Sequence, residues 1–524
     1  MNRIIINEQD ITSNETPNIS SDIVYVPGFA VGGTQEARVP KLCSTVKEFE
    51  NAFGETAPTF LVDQVYPLKE GTTAGFSSLA IPTVSGADRI WYNAGTKDPS
   101  YVYAKELIRL GLSVVYERIN TVSENPADKM DNSGTAGGKA VSLFSSTATY
   151  VVNDYVAYKG AYYKCIAAIS TPEEGAVPSS DTNHWEAVST DLIPWYDVTV
   201  ERMYDAMMGA NLSEDEYAIY AENVPGSLSE ISTHNIKYIT SGGYPTYEYS
   251  RTTGSGVNET TVTIAQLMTT LASTRGDAIA FIDHTDNAAR PLTGDNSVYG
   301  TLKSGFLAGT TASFGTMITP WGVYDTTESS NVSLPGSFGY FVALARALRT
   351  YPSWLPIAGV VRGLIPTLKS LNTNKPLTNA VADSYQAAVN STANDISINA
   401  ITYINDQGYS VWGNRTMSNV SNGFATVFLN MRNLICDVKK QAFKSAQRYM
   451  FEQNTDILWV NFKNDMQKLL DQMVAGTAVK NFKILKLSTA DKTKIAAKIL
   501  IVPIYAVEAF EISIIMTDEE ITVE

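Results

Sequence analysis

Histidine and cysteine are scarce in this chain of 524 residues, with three of each. Cys43, Cys165 and Cys436 are odd in number and far apart, so they describe no disulfide framework and fit a reducing compartment. His184, His234 and His284 form no His/Cys cluster at metal-ligand spacing, and no nucleophile elbow accompanies them. Gly32-Gly33 lacks the Lys-Ser/Thr of a phosphate loop and the glycine spacing of a dinucleotide site. No cofactor is therefore expected. No apolar run reaches the roughly 18 residues of a membrane-spanning helix, so no membrane insertion is expected. Residues 1–20 lack the charged, apolar and cleavable order of a signal peptide, and synthesis in a cytosol is expected. Positive charge is also short, 39 Lys and Arg against 54 Asp and Glu. The net charge of -15 argues against nucleic acid as the main partner.

What is present is a folded chain. Hydrophobic residues make up 44% and charged residues 18%, too apolar for disorder, and the length predicts roughly three or four domains. The charge is uneven. From Phe428 to Leu500 there are thirteen Lys and Arg against six Asp and Glu, an excess of seven, which leaves about -22 on the remainder. Such asymmetry predicts a basic face that meets an acidic partner.

The pattern of apolar residues places the elements. Ile23–Val26 reads as a strand, and Ser44-Thr45 caps a helix over Lys47–Phe53. Residues 100–119 read as a helix, a stop at Gly111, then a strand. Helices are predicted over Asp197–Gly209 and Val262–Arg275, with strands at Ile236–Ser241, Thr246–Ser250 and Ala278–Asp283. Asp283-His284 at a strand end reads in two ways, as a catalytic pair or as a carboxylate that caps the next turn. Ser337 is placed to cap a helix through Tyr340, Leu344, Ala347 and Leu348. Ile401–Trp412 reads as a hairpin around Asn405-Asp406-Gln407-Gly408. A long helix over Phe424–Gln453 follows, with Leu434, Ile435, Val438, Ala442, Ala446 and Met450 as its buried stripe. A second helix over Asp456–Val474 and strands at Phe482–Leu487 and Ala497–Pro503 complete the pattern.

Residues 120–145 are rich in Ser, Thr and Gly and read as a linker into a different texture. Tyr150, Asp154, Val156, Tyr158, Gly160, Tyr163, Cys165, Pro178 and Trp185 follow a pattern that resembles the small chitin-type carbohydrate-binding module, with Asn153 in place of its glycine. The resemblance implies stacking of a glycan on Tyr158, Tyr163 and Trp185. The same aromatics could equally be the core that so small a domain needs.

Three further blocks resemble contractile phage tail sheath proteins. The first is Val24–Gly33 with the helix Lys47–Phe53. The second carries Pro320-Trp321, Pro335-Gly336-Ser337, Trp354, Ala358, Gly359, Arg362 and Gly363. The third carries Asn399, Ile401, Gly408, Val411, Trp412, Gly413, Arg415 and Thr416. The fold class this implies is α+β and multidomain, an α/β-type sheath core with a C-terminal α+β domain, extended terminal arms and a small all-β insert. The expected domains are an arm (1–20), a first core part (21–125), linker and insert (126–192), a second core part (193–390), a C-terminal domain (391–508) and a second arm (509–524).

The resemblance implies a mechanical, non-enzymatic function. Subunits would polymerise helically around an inner tail tube, with baseplate and tail terminator proteins as further partners, in a virion tail assembled in a host bacterial cytoplasm. Terminal arms would add strands to neighbouring subunits, which assigns Ile4, Ile5 and Ile6 and Ile512, Ile514 and Ile515 to the arm strands. Lys440, Lys444 and Arg448 recur every fourth residue on the long helix. They read as a contact to an acidic tube or as a solvated helix face. The alternatives are a glycan-binding surface adhesin using residues 150–188 and an α/β enzyme using Asp283.

Overall fold

A computed structural model of the protein describes residues 22–60, 97–118, 148–188, 235–244, 260–283, 310–371, 397–418 and 424–507 almost without gaps, with a few short segments outside these ranges. The predicted helix Asp197–Gly209 and both predicted arm strands lie outside the described residues. The chain divides into two compact units, Met1–Lys440 and Gln441–Glu524.

In chain order the strands of the main sheet, the insert and the C-terminal hairpin are β1 (Val24–Gly28), β2 (Lys41–Cys43) and β3 (Val114–Arg118), followed by four in the insert. These are β4 (Val141–Leu143), β5 (Tyr155–Tyr158), β6 (Ala161–Cys165) and β7 (Trp185–Val188). Then come β8 (Tyr238–Ile239), β9 (Ile279–Ile282), β10 (Gly315–Thr319), β11 (Asn399–Ile404) and β12 (Gly408–Trp412). The last two are β13 (Val479–Leu487) and β14 (Ala496–Pro503). The main helices are α1 (Val46–Phe53), α2 (Pro99–Arg109), α3 (Ile264–Arg275), α4 (Gly336–Ala347), α5 (Leu429–Arg448) and α6 (Asp456–Ala475).

The first unit is organised on a mixed eight-stranded sheet in the order β2-β3-β1-β8-β9-β10-β11-β12. The six inner strands are parallel, with Val24 opposite Val114 and Tyr238 opposite Ile279, and each edge strand is antiparallel. Strands β1 and β9 are buried along their whole length, as parallel strands covered on both faces must be. The outer edge of β12 is covered by the 363–365 segment: Val411 N–H donates to Gly363 O at 2.9 Å and Ile365 N–H to Tyr409 O at 2.9 Å. Covering an edge removes a template for unwanted pairing.

Aromatic rings fill the core. Phe49, Phe53 and Tyr101 pack against Tyr116, and Phe281, Phe338 and Phe341 against Tyr103, Tyr238 and Tyr340. Thr45 closes α1 with a capping box to Glu48, as the sequence predicts. Ser337 does not cap α4. The N-cap is Pro335, and the Ser337 hydroxyl lies inside the first turn, where it donates to Asp283 Oδ2 at 3.0 Å. At Gly336 the helix start lies against the backbone of Ile318, so that a side chain would collide with it.

The expected boundary at residue 391 lies between β10 and β11 in the chain, and these two strands pair in one sheet, as do β11 and β12. Asn399 explains the join. Its side-chain amide donates to Thr316 Oγ1 at 3.1 Å and to Arg415 O at 2.8 Å, while its Oδ1 accepts from Arg415 N–H at 2.8 Å. The division between the two compact units falls within α5, after Lys440.

The insert is a separate four-stranded sheet, β7-β6-β5-β4, around Tyr150, Val156, Cys165, Ile169 and Trp185. The second unit comprises the end of α5, helix α6 and the β13–β14 hairpin, in which Lys483 faces Leu500 and Leu485 faces Lys498. Thr455 caps α6 by accepting from Leu458 N–H.

Candidate functional site

The described residues hold no group of acidic, His and Cys side chains that could bind a metal ion, and no helix among them is long and apolar enough to cross a membrane. The one catalytic candidate from the sequence, Asp283, is buried at the end of β9 and accepts the Ser337 hydroxyl, which also lies 3.1 Å from Tyr103 Oη. It ties the start of α4 to the sheet. Asp98 does the same for α2: it caps that helix by accepting from Tyr101 N–H at 2.9 Å, and it also accepts from Tyr244 Oη at 2.6 Å. Burial raises the Asp98 carboxyl above its ordinary range, and its hydrogen bonds oppose that rise.

The predicted basic row on α5 is broken. Lys440 is only 2% exposed; its ammonium donates to Asp277 Oδ2 at 2.6 Å and to Ile236 O at 2.5 Å. Burial lowers its pKa, and Asp277 opposes that fall. Lys440 is therefore a buried anchor and offers no charge to a partner. Lys444 and Arg448 are exposed, and Arg448 lies 3.6 Å from Asp465. The apolar stripe changes character at the same point. Leu434 and Val438 are buried, whereas Ala446 and Met450 are exposed. Helical periodicity alone cannot register this, because the repeat is unchanged where the packing surface ends.

The second unit leaves an unusual amount of apolar surface in water. Of eighteen large apolar side chains exposed among the described residues, eleven lie between Met450 and Val507. Phe451 is fully exposed on a backbone with φ of 67°, a conformation that side chains rarely adopt. On the hairpin, the face turned from α6 carries Lys483, Leu485 and Leu487 beside Lys498, Leu500 and Val502. The opposite face has Ile484 buried, and α6 contributes Met466, Leu469, Leu470 and Met473 to the small core. Among the described residues the hairpin pairs with no third strand. Phe482–Leu487 and Ala497–Pro503, expected as sheet partners, thus lie on a two-stranded ribbon with polar backbone at its edges.

In the insert, Trp185 is 2% exposed and stacks edge-on against Tyr150 at 4.9 Å. It is a core residue and not a platform for a glycan, because a domain this small needs its largest ring inside. Tyr163 is half-buried against the same core. The side chain of Tyr158 lies outside the described residues.

Sequence reasoning missed one feature. Lys237, Arg275 and Lys440 meet Asp22, Asp277 and Asp437 in a buried ionic cluster beneath α5. Its members are up to hundreds of positions apart in the chain, and single-chain periodicity carries no signal for them.

No family model matches the chain and no curated protein is similar to it. Among solved structures, the sheath tail protein from Listeria innocua is 10% identical with a TM-score of 0.40, over 92% of this chain and 95% of that one. The sheath tail protein from Desulfitobacterium hafniense is 9% identical with a TM-score of 0.37, over 96% of this chain and 100% of that one. The sheath complex of an extracellular contractile injection system, PVC, in its contracted state is 17% identical with a TM-score of 0.37, over 48% of this chain and 68% of that one. Likenesses of this size assign no role to any residue.

Proposed function

We propose that the chain is a structural subunit of a contractile tail sheath, of a phage or of a phage-like injection machine, and is not an enzyme. The observation that carries this reading is the unequal burial of the two units: among the described residues, eleven of the eighteen exposed large apolar side chains lie in the much smaller second unit, where a partner could cover them. The three sequence blocks that resemble sheath proteins support it independently, since they lie far apart and in the family's order.

Assembly then uses strand addition. Residues 4–6 and 512–516 of neighbouring copies pair with the edges of the β13–β14 hairpin, and backbone hydrogen bonds tie copies together. Charge favours the second of these arms. Residues 508–524 carry six Asp and Glu and no Lys or Arg, while residues 441–507 carry ten Lys and Arg against five Asp and Glu. A contact of this kind between different surfaces does not close on itself and propagates as a helix. The polymer surrounds an inner tube, with baseplate and terminator proteins at its ends, in a tail assembled in the bacterial cytoplasm. Lys444 and Arg448 are the proposed tube contacts. Contraction releases a kinetically trapped packing, with no nucleotide consumed.

Electron microscopy of the concentrated, purified chain tests the reading. Long hollow tubes with regular striations are expected, and deletion of residues 1–15 abolishes them. Compact monomers at every concentration and salt, with or without a tube template, would overturn it.

A further inference from the structure

Helix α4 ends at Ala347, and the chain passes Pro352 and Pro356 before a short helix at Gly359–Arg362. Gly359 takes φ of 72°, which a side chain would resist, and Gly363 lies so close to the backbone of Ala358 that a Cβ would collide with it. The short helix is held from both sides. Arg346, on α4, donates from Nη1 to Val361 O at 3.1 Å, and the Ser410 hydroxyl of β12 donates to Gly359 O at 2.9 Å. Arg362 donates from Nε to Pro356 O at 2.7 Å, and its guanidinium lies 5.6 Å from the centre of the Tyr351 ring.

These contacts gather Arg346, Arg349 and Arg362 around Val360 and Val361, which are 39% and 55% exposed. Arg346 and Arg349 are exposed as well, and Arg362 is partly so. Other surface arginines find carboxylates: Arg109 meets Glu106, and Arg448 lies near Asp465. None of these three pairs with a carboxylate among the described residues. The negative end of α4 accounts for a cation at Arg346 but not for two more beside exposed valines. A guanidinium has several N–H donors, and the bonds above use only Nη1 of Arg346 and Nε of Arg362. On Arg362 the paired Nη1 and Nη2 remain, the fork that grips a carboxylate through both oxygens. With that side chain already fixed on Tyr351, little freedom is lost on binding.

A matching sequence lies in the chain itself. Residues 517–524 (TDEEITVE) hold Asp518, Glu519, Glu520 and Glu524 and no Lys or Arg, the most acidic stretch of that length in the protein. Ile521 and Val523 stand among them at the spacing of one strand face. We propose that the arginine–valine surface of α4 and Gly359–Arg362 receives residues 517–524 of a second copy, with carboxylates on the arginines and Ile521 and Val523 over Val360 and Val361. The sheath reading enters only in that copies must meet. In a sheath, this contact gives the arm strand at 512–516 a second, charged foothold. Neighbours are then chosen by side-chain charge as well as by backbone pairing, which carries no side-chain identity.

Charge exchange on the full-length chain tests it. One variant carries Arg349→Glu with Arg362→Glu, and the other Glu519→Arg with Glu520→Arg. Each alone sets like charge against like, and its self-association in sedimentation velocity is expected to weaken about tenfold or more. An equimolar mixture presents each reversed surface to its complement and is expected to associate within about threefold of the parent, a rescue that a misfolded chain could not give. If the mixture stays apart while one chain carrying all four substitutions associates, the contact lies within a single copy and the proposal is overturned. Parent-like association of either variant alone overturns it too.

A labelled peptide of residues 508–524 gives a reading that needs no assembly. Its binding to the parent, followed by fluorescence anisotropy, is expected to weaken with added salt and to be lost in the arginine variant. Binding with no self-association at any concentration would sink the sheath reading and leave the contact. Tubes that form as well in both variants as in the parent would sink the contact and leave the sheath reading. Neither binding nor association would sink both.

Discussion

The two units put the same kinds of residue to opposite uses. In the first, rings such as Phe49, Phe281 and Phe341 are fully enclosed by neighbouring rings. In the second, Phe451 stands fully exposed and Ile457 largely so. Lysine follows suit: Lys440 is locked against Asp277 inside the first unit, and Lys444, one helical turn on, is in water. The first unit is a self-sufficient core. The second is a small helix–hairpin body that leaves large apolar side chains such as Phe451 and Ile457 exposed among the described residues, the kind of surface that the proposed assembly would cover.

The comparison breaks first at the core. Phe341→Ala removes a ring packed on Tyr238, Phe281 and Tyr340 and should cost about 3–5 kcal/mol in chemical denaturation. A cost of the size expected at a surface would mean that the first unit is not the stable body described. Lys440→Ala leaves Asp277 with less compensation in a dry site and should cost on the order of 3 kcal/mol or more. An effect under about 0.5 kcal/mol would return Lys440 to the exposed row.

An alkaline titration probes the same interior more gently. Burial pushes the Cys436 thiol from 9.0 up to about 11, against the opposing pull of Lys237 and Arg432. The folded state therefore holds this proton more tightly than the unfolded chain does. The stabilisation is present in full below pH 9.0 and is lost as pH rises to about 11. The parent should lose about 2–3 kcal/mol more than Cys436→Ala across that window, from this group alone. Parallel profiles would show that the thiol is not sealed in.

At the small end, Phe451→Ala and Lys444→Glu should each change the stability of the free chain by less than about 0.5 kcal/mol. In the proposed sheath their effects belong to assembly. Tube formation scored by microscopy should fall for Phe451→Ala, and co-assembly with an acidic tube should fall for Lys444→Glu paired with Arg448→Glu. Normal assembly of both would mean that the exposed face of the second unit meets no partner there.

Much of the fold was legible, and the failures share a cause. The β13–β14 hairpin, α6 and the turn at Asn405–Gly408 follow from local signals: alternation, an N-cap at Thr455, and positive φ at Asp406 and Gly408. The choice between core and platform at Trp185 stayed open, and the burial of Lys440 was missed, because burial is not local. A tryptophan in a binding module and one in a core occupy the same pattern, and a lysine keeps its helical repeat whether or not an aspartate 163 positions away lies against it.

The amino-acid sequence by itself determined the alternation of helices and strands, the separate texture of the insert and the basic character of residues 428–500. These depend on neighbours within a few positions or on simple sums over the chain. Only the tertiary structure decided that β11 and β12 complete the large sheet, that α5 changes from buried to exposed near Lys440, and that Asp22, Lys237 and Asp437 share one node. Each of those depends on long-range contacts, in which the energy of a charge or a ring is set by whether distant parts of the chain exclude water from it.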